Sequence, residues 1–76
     1  MSPEQCRVAR AWLDWSQQDL AKRAKVSLST VADFEKRRRT PILNNLVAMQ
    51  AALEKAGVVF TNGDEPGVKL KKKKSR

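Results

Sequence analysis

Apolar residues recur at helical spacing in four separate segments of the chain. The segments predict helices over about residues 3–13, 17–24, 28–36 and 43–56. Ser2, Ser16 and Ser27 precede the first three helices, where a serine hydroxyl can accept a hydrogen bond from the first helical turn. Gln5 and Asp19 stand three residues after the first two serines, so two capping boxes are expected.

The fourth helix is bounded by residues that break helices. Thr40-Pro41 stands before it, because the residue preceding a proline avoids the helical region, and Asn44 or a neighbour can begin it. Its apolar face is formed by Leu46, Met49, Ala52, Leu53 and Ala56. Gly57 is expected to cap its end.

After Gly57 the pattern changes from helical to alternating. Residues 58–61 are β-branched and aromatic, residues 62–67 are turn formers, and Val68 and Leu70 alternate with lysines. This pattern predicts a short antiparallel hairpin. A lone hairpin is marginally stable in water, so this one must pack on the helices or join a partner's sheet.

The second and third helices are joined very tightly. Only Lys25 and Val26 separate the second helix from Ser27, so the two helices must cross steeply, as in a helix-turn-helix. The third helix then presents Leu28, Ser29, Ala32 and Asp33 on the face opposite its apolar residues. Short side chains at the start of such a helix can reach base edges in the major groove of DNA.

The charge of the chain is unevenly distributed. Sixteen lysines and arginines stand against eight acidic residues, which gives a net charge of +8. Six of the sixteen lie in residues 69–76, so residues 1–68 carry only +2. A second basic cluster, Lys36-Arg37-Arg38-Arg39, directly follows the third helix and is expected to meet DNA phosphates.

Composition argues against several other classes of protein. The chain has no histidine, no tyrosine and one cysteine, and its three glycines all stand at position 57 or later. We therefore expect no enzyme, cofactor, metal site or small-molecule substrate. A lone cysteine, no secretory signal and no long apolar run favour an intracellular, reducing location away from membranes. Taken with the predicted DNA contacts, the expectation is a cytoplasmic, nucleoid-associated protein of bacterial type.

Residues 16–36, SQQDLAKRAKVSLSTVADFEK, and the RRTP that follows at residues 38–41 resemble the Cro/CI-type, or Xre, helix-turn-helix family. The resemblance covers about residues 3–57 and implies a mainly α, compact four-helix DNA-binding domain. The expected organisation is this domain over residues 1–57, a β-hairpin or strand extension over 58–71 as a candidate dimerisation element, and a basic tail over 72–76.

The resemblance also implies roles for individual residues. It assigns Gln17 to a phosphate contact and implies a structural ion pair between Arg10 and Glu35. Many members of the family have glycine where Lys25 and Arg37 stand here, so both turns depart from the family pattern.

The chemistry of the third helix suggests its contacts independently. Leu28 can meet a thymine methyl, Ser29 either kind of base edge, and Asp33 a cytosine amino group. Asp33 can equally be an exposed capping residue that contacts no base. Ser27 and Thr30 are expected at the DNA backbone.

The function predicted from these observations is a dimeric, sequence-specific regulator of transcription that binds a double-stranded operator, a repressor rather than an activator. The hairpin would join the two copies of the homodimer. One alternative is a non-specific architectural binder driven by the basic tail. Another is an antitoxin-type interaction module that regulates its own expression through DNA.

Overall fold

The computed structural model describes residues 1–61 and 67–70, and of residues 67–70 it describes the backbone alone. Four helices are followed by two strands: α1 (Pro3–Leu13), α2 (Gln17–Ala24), α3 (Leu28–Glu35), α4 (Leu43–Lys55), β1 (Val58–Thr61) and β2 (Gly67–Leu70). The strands pair antiparallel, with Val58 opposite Leu70 and Thr61 opposite Gly67. The predicted fold class, four helices with a C-terminal hairpin, is confirmed.

Two predicted helix ends were one residue too long. The third helix was expected to reach residue 36, but Lys36 is its C-cap, and the following Arg37 has a φ of 60° that turns the chain away from the helix axis. The fourth was expected to reach residue 56, but Ala56 is its C-cap. Gly57, expected to be the cap, comes one residue later with a φ of 110°.

The beginning of α4 agrees with the prediction, which placed it at about residue 43. Ile42 keeps the extended backbone that follows Thr40-Pro41, and α4 begins at Leu43 with no side-chain cap. Asn44, which with its neighbours was expected to begin the helix, lies in its first turn. The second strand begins at Gly67, one residue before the predicted Val68, and the predicted tail over 72–76 lies outside the described residues.

The three serine caps are confirmed. The Ser2 hydroxyl accepts from the backbone N–H of Gln5 at 3.1 Å, and the Gln5 side chain accepts from the N–H of Ser2 at 2.8 Å. Ser16 and Asp19 form the same reciprocal pair, with both bonds at 3.0 Å. Each reciprocal pair satisfies two backbone donors that the helix itself leaves open. These boxes fix where α1 and α2 begin.

The hairpin completes the hydrophobic core of the helices. Val58 is 2% exposed within the core cluster, and Phe60 packs against that cluster. The side chain of Gln5 donates from Nε2 to the carbonyl oxygen of Thr61 at 3.1 Å, which ties the first turn of α1 to the end of β1. The inward-facing residues of β1 are therefore used within the protomer.

The turn between α2 and α3 contains a left-handed residue. Lys25 has φ 60° and ψ 42°, and the next residue, Val26, donates back to the carbonyl of Ala21 at 3.0 Å. This closure ends α2 abruptly, so that Ser27, two residues after Lys25, can cap the start of α3. The backbone of Lys25 is strained here, because a Cβ atom disfavours the left-handed region by roughly 1–2 kcal/mol.

We expect Lys25→Gly to raise the free energy of unfolding by about 0.5–1 kcal/mol, since glycine adopts this conformation without a Cβ clash. Lys22→Gly, inside α2, is the matched control and should lower it by a similar amount, about 0.5–1 kcal/mol. Urea unfolding of both variants measures the two changes. Equal destabilisation by both would contradict the strain assigned to Lys25.

Candidate nucleic-acid interface

Three hydroxyl groups cluster at the start of α3. The Ser27 hydroxyl accepts from the backbone N–H of Thr30 at 3.1 Å and lies 3.1 Å from the Ser29 hydroxyl and 2.8 Å from that of Thr30. Ser27 and Ser29 are exposed and Thr30 is half-buried. The first turn of α3 thus combines the positive end of a helix dipole with hydroxyls at the surface, a combination suited to phosphate oxygens.

The exposed face of α3 carries the residues predicted to meet bases. Leu28 is 48% exposed, Ser29 is exposed and Asp33 is half-buried. On the opposite face, Val31 and Phe34 are 0% and 6% exposed and hold the helix on the core. The structure therefore brings the predicted base-contacting residues onto one side of a helix anchored by its other side.

A cleft runs beside this face and contains residues that the sequence analysis did not single out. It is lined by Ser29, Thr30, Asp33, Arg39, Thr40, Pro41, Ile42 and Asn45. Thr40 and Asn45 bring further polar groups to the side of α3. Helical periodicity could place Asn45 on α4, but it could not show that this part of α4 lies beside the third helix.

The basic cluster after α3 divides into two kinds of residue. Arg37 donates from Nη2 to both carboxylate oxygens of Glu4, at 2.6 and 2.7 Å, and this contact lowers the pKa of Glu4 and raises that of Arg37. Lys36, Arg38 and Arg39 are exposed, and in the part of the chain that the structure describes they form no ion pair. The latter three cations are thus the ones available to phosphates.

A buried ion pair anchors the end of α3. Arg10 of α1 donates from Nε and Nη2 to the two carboxylate oxygens of Glu35, both at 2.7 Å, and Glu35 is 2% exposed. Two parallel charge-assisted bonds fix the relative orientation of both planar groups. The pair implied by the family resemblance is therefore present, and it joins the first helix to the last residue of the third.

Other side chains complete the surroundings of Glu35. Gln17 donates from Nε2 at 3.0 Å, and the Cys6 thiol lies 3.0 Å from the second carboxylate oxygen. Arg7 donates to the backbone carbonyl of Glu35 at 2.9 Å, which caps the end of α3. Arg7 and Cys6 were not predicted from the sequence as partners of Glu35. The one available signal was that both lie three or four residues before Arg10, on the same side of α1.

These contacts set the ionisation of the buried groups. Burial by itself would raise the pKa of Glu35, but the hydrogen bonds from Arg10, Gln17 and Cys6 outweigh burial and lower it. Burial and the neighbouring Glu35 carboxylate raise the pKa of Cys6, so its thiol stays protonated and donates. Glu35 is therefore an ionised group held entirely by protein donors.

The structure places Gln17 between the Arg10–Glu35 ion pair and the protein surface. Its side chain is half-buried and its Nε2 atom is engaged by Glu35, while its backbone opens the first turn of α2. Gln17 can therefore contact a phosphate through its backbone N–H at the start of α2 while its side chain stays bonded to Glu35.

The lowered pKa of Glu35 predicts a pH dependence of stability. Its ionisation stabilises the fold fully above the unfolded-state pKa of about 4.3, and this contribution is lost as the pH falls through the lower folded-state pKa. The difference in unfolding free energy between the wild type and Glu35→Gln should therefore be constant near neutrality and shrink below about pH 4. Urea unfolding from pH 7 to 3 measures this difference, and a gap that widened on acidification would contradict the assignment.

Two short helices crossing through a tight left-handed turn, with polar side chains on the outer face of the second, define a DNA-binding helix-turn-helix regulator. The model of the helix-turn-helix family HTH_3 matches residues 7–57 of the chain. The chain belongs to this family of Xre, Cro and CI-type helix-turn-helix proteins. No curated protein shows a significant match to the chain.

The match runs from residue 7 to residue 57, so it covers most of α1 and all of α2, α3 and α4, and leaves the hairpin outside. Among the described residues, no helix is long and apolar enough to cross a membrane. The same residues contain no group of His, Cys, Asp or Glu side chains able to hold a metal ion.

Proposed function

We propose that this protein is a sequence-specific regulator of transcription, a cytoplasmic repressor that binds its operator as a homodimer and reads the major groove with α3. The observation that supports this best is the exposed start of α3 on a helix whose end is clamped by the Arg10–Glu35 pair. A base-reading helix must be held rigidly, because specificity depends on side-chain positions within hydrogen-bonding distance of base edges.

The proposed base contacts follow from the chemistry of the exposed face. Leu28 would contact a thymine methyl, Ser29 would hydrogen-bond a base edge, and Asp33 would accept from a cytosine amino group. Arg39 lines the same cleft as Asp33, so its positive charge offsets part of the repulsion between Asp33 and the phosphates.

The proposed phosphate contacts surround this face. Gln17 at the start of α2 and the hydroxyls of Ser27 and Thr30 would position the backbone, and Lys36, Arg38 and Arg39 would supply charge. Arg37 can join them only by leaving Glu4. Because that pair is exposed, with side chains 62% and 51% accessible, the exchange costs little.

The proposed sequence specificity requires a dimer, because the DNA-contacting face of α3 is small. One short helix contacts few bases, and helix-turn-helix proteins gain specificity by binding two half-sites about one DNA turn apart. Repression would follow when such a dimer covers a promoter.

The test of the proposal is fluorescence anisotropy across a salt series, using DNA from upstream of the protein's own gene and a scrambled duplex of equal length. The proposal predicts tighter binding to the upstream fragment by about 10³-fold or more near physiological salt. Equal binding to both duplexes, lost as salt rises, would favour the alternative of an architectural binder driven by the lysine-rich tail.

A further inference from the structure

The cleft beside α3 contains an asparagine of α4 whose side chain has no structural partner. Asn45 lines this cleft together with Ser29 and Asp33, two of the residues proposed to contact bases. Within the part of the chain that the structure describes, the Asn45 amide forms no hydrogen bond. In the same residues every polar side-chain atom that is closed to solvent has a partner, so the half-buried Asn45 amide is accessible to a ligand.

The stability of α4 does not explain an asparagine at position 45. Asn45 is the third residue of the helix, where a polar side chain can reach back to cap the backbone N–H before the helix, but α4 has no side-chain cap. The backbone N–H of Asn45 donates to the carbonyl of Ile42 at 3.0 Å, and any residue except proline would form this bond. Asparagine is also a weaker helix former than alanine. The helix therefore needs the backbone of Asn45 and not its amide.

The chemistry of the cleft favours the edge of a base over a phosphate as the partner of Asn45. Asp33 is half-buried in the same cleft, and among the described residues it forms no ion pair. Its carboxylate would repel a phosphate oxygen, whereas the amino group of a base could donate to it. Arg39 also lines the cleft, but its long side chain can extend from there to the DNA backbone.

We propose that Asn45 is a specificity-determining residue that contacts an adenine of the operator, next to the bases contacted by α3. This inference rests on the proposed function, since it requires α3 to enter the major groove. An asparagine amide presents a hydrogen-bond donor and an acceptor side by side. The major-groove edge of adenine presents the matching acceptor N7 and donor N6, so two bonds can form together. Guanine presents two acceptors in the same place and can satisfy half of the amide.

The fold holds Asn45 in a fixed position relative to α3. Met49 and Leu53 of α4 are fully buried in the same core cluster as Val31 and Phe34 of α3. A base contact needs such a rigid support, because hydrogen bonds tolerate small displacements of donor and acceptor. Asn45 would thus add to the bases contacted by α3 one that is contacted from a second helix.

Selection of duplexes from a random library with the full chain, its Asn45→Ala variant and its Asn44→Ala variant tests the proposal. The wild-type motif should contain an adenine in each half-site that Asn45→Ala no longer selects. By fluorescence anisotropy, Asn45→Ala should bind the wild-type motif about 5- to 100-fold more weakly and a scrambled duplex as the wild type does. Asn44→Ala is the matched control, since Asn44 is exposed and outside the residues that line the cleft, and it should select the wild-type motif.

Asn45→Asp provides a second variant of nearly the same shape. It replaces the amide donor by an acceptor, so the selected adenine should change to cytosine, whose amino group donates to a carboxylate. Thermal unfolding of every variant shows whether it is folded.

The remaining outcomes separate this contact from the proposed function. If Asn45→Ala selects the wild-type motif with wild-type affinity, the contact is overturned and the proposed function stands. Equal weakening on both duplexes would place Asn45 at the DNA backbone and would also overturn the contact. A wild type that selects no motif at all would overturn the proposed function, and the contact with it.

Discussion

Arg10→Met is expected to lower the free energy of unfolding by about 3–5 kcal/mol, because it leaves the Glu35 carboxylate buried without its main partner. A domain of this size has a total stability near the lower end of about 5–15 kcal/mol, so the variant should be partly unfolded near physiological temperature. Among the residues that the structure describes, Glu35 would retain Gln17 and Cys6 as its side-chain donors. Circular dichroism during urea and thermal unfolding measures the loss.

The exposed ion pair provides the control for this prediction. Arg37→Met breaks the contact with Glu4, whose carboxylate is then simply hydrated, and should cost no more than about 1 kcal/mol. The double variant Arg10→Met/Glu35→Leu removes both buried charges and should recover much of the stability lost in Arg10→Met. If Arg10→Met and Arg37→Met cost the same, the buried pair is not the anchor of α3 described above.

The double variant Leu28→Ala/Ser29→Ala should lower affinity for the operator by about 1–3 kcal/mol per lost base contact while leaving affinity for scrambled DNA unchanged. Both residues are exposed, so the fold should be unaffected. Their contacts are proposed at base edges, and loss of a base contact removes discrimination between sequences. Anisotropy with the operator and a scrambled duplex at fixed salt measures both affinities.

Arg38→Ala/Arg39→Ala is the contrasting variant. These arginines are proposed to meet phosphates, so affinity should fall equally on both duplexes, and the slope of log affinity against log salt should decrease by about 0.9 per lost contact. If the alanine variants of Leu28 and Ser29 instead weakened both duplexes equally, α3 would be contacting the DNA backbone and not its bases.

Local signals in the sequence predicted most of the helical framework. Ser2 and Ser16 form hydrogen bonds with residues three positions away, so short segments of the sequence determine where α1 and α2 begin. The resemblance to the family added the Arg10–Glu35 pair, whose partners lie 25 residues apart. Periodicity alone contains no information about such a distant pair.

Features that depend on how helices pack could not be predicted. The contact of Arg37 with Glu4 spans 33 residues and depends on the left-handed turn after α3. The sequence could not predict that Ile42 and Leu43 are exposed either, because an apolar residue at the start of a helix is ordinarily expected to be buried. Only the packed structure shows that α4 buries Met49 and Leu53 and leaves its first turn open.

The central claim, that α3 reads the sequence of double-stranded DNA, is tested most directly by selecting duplexes from a random library with the full chain near physiological salt. The account predicts strong enrichment of one motif with two-fold symmetry, whose half-sites lie about one helical turn apart. Enrichment should weaken for Leu28→Ala/Ser29→Ala. A bound pool with the same composition as the starting library would contradict the account and leave a binder that recognises only the charge of DNA.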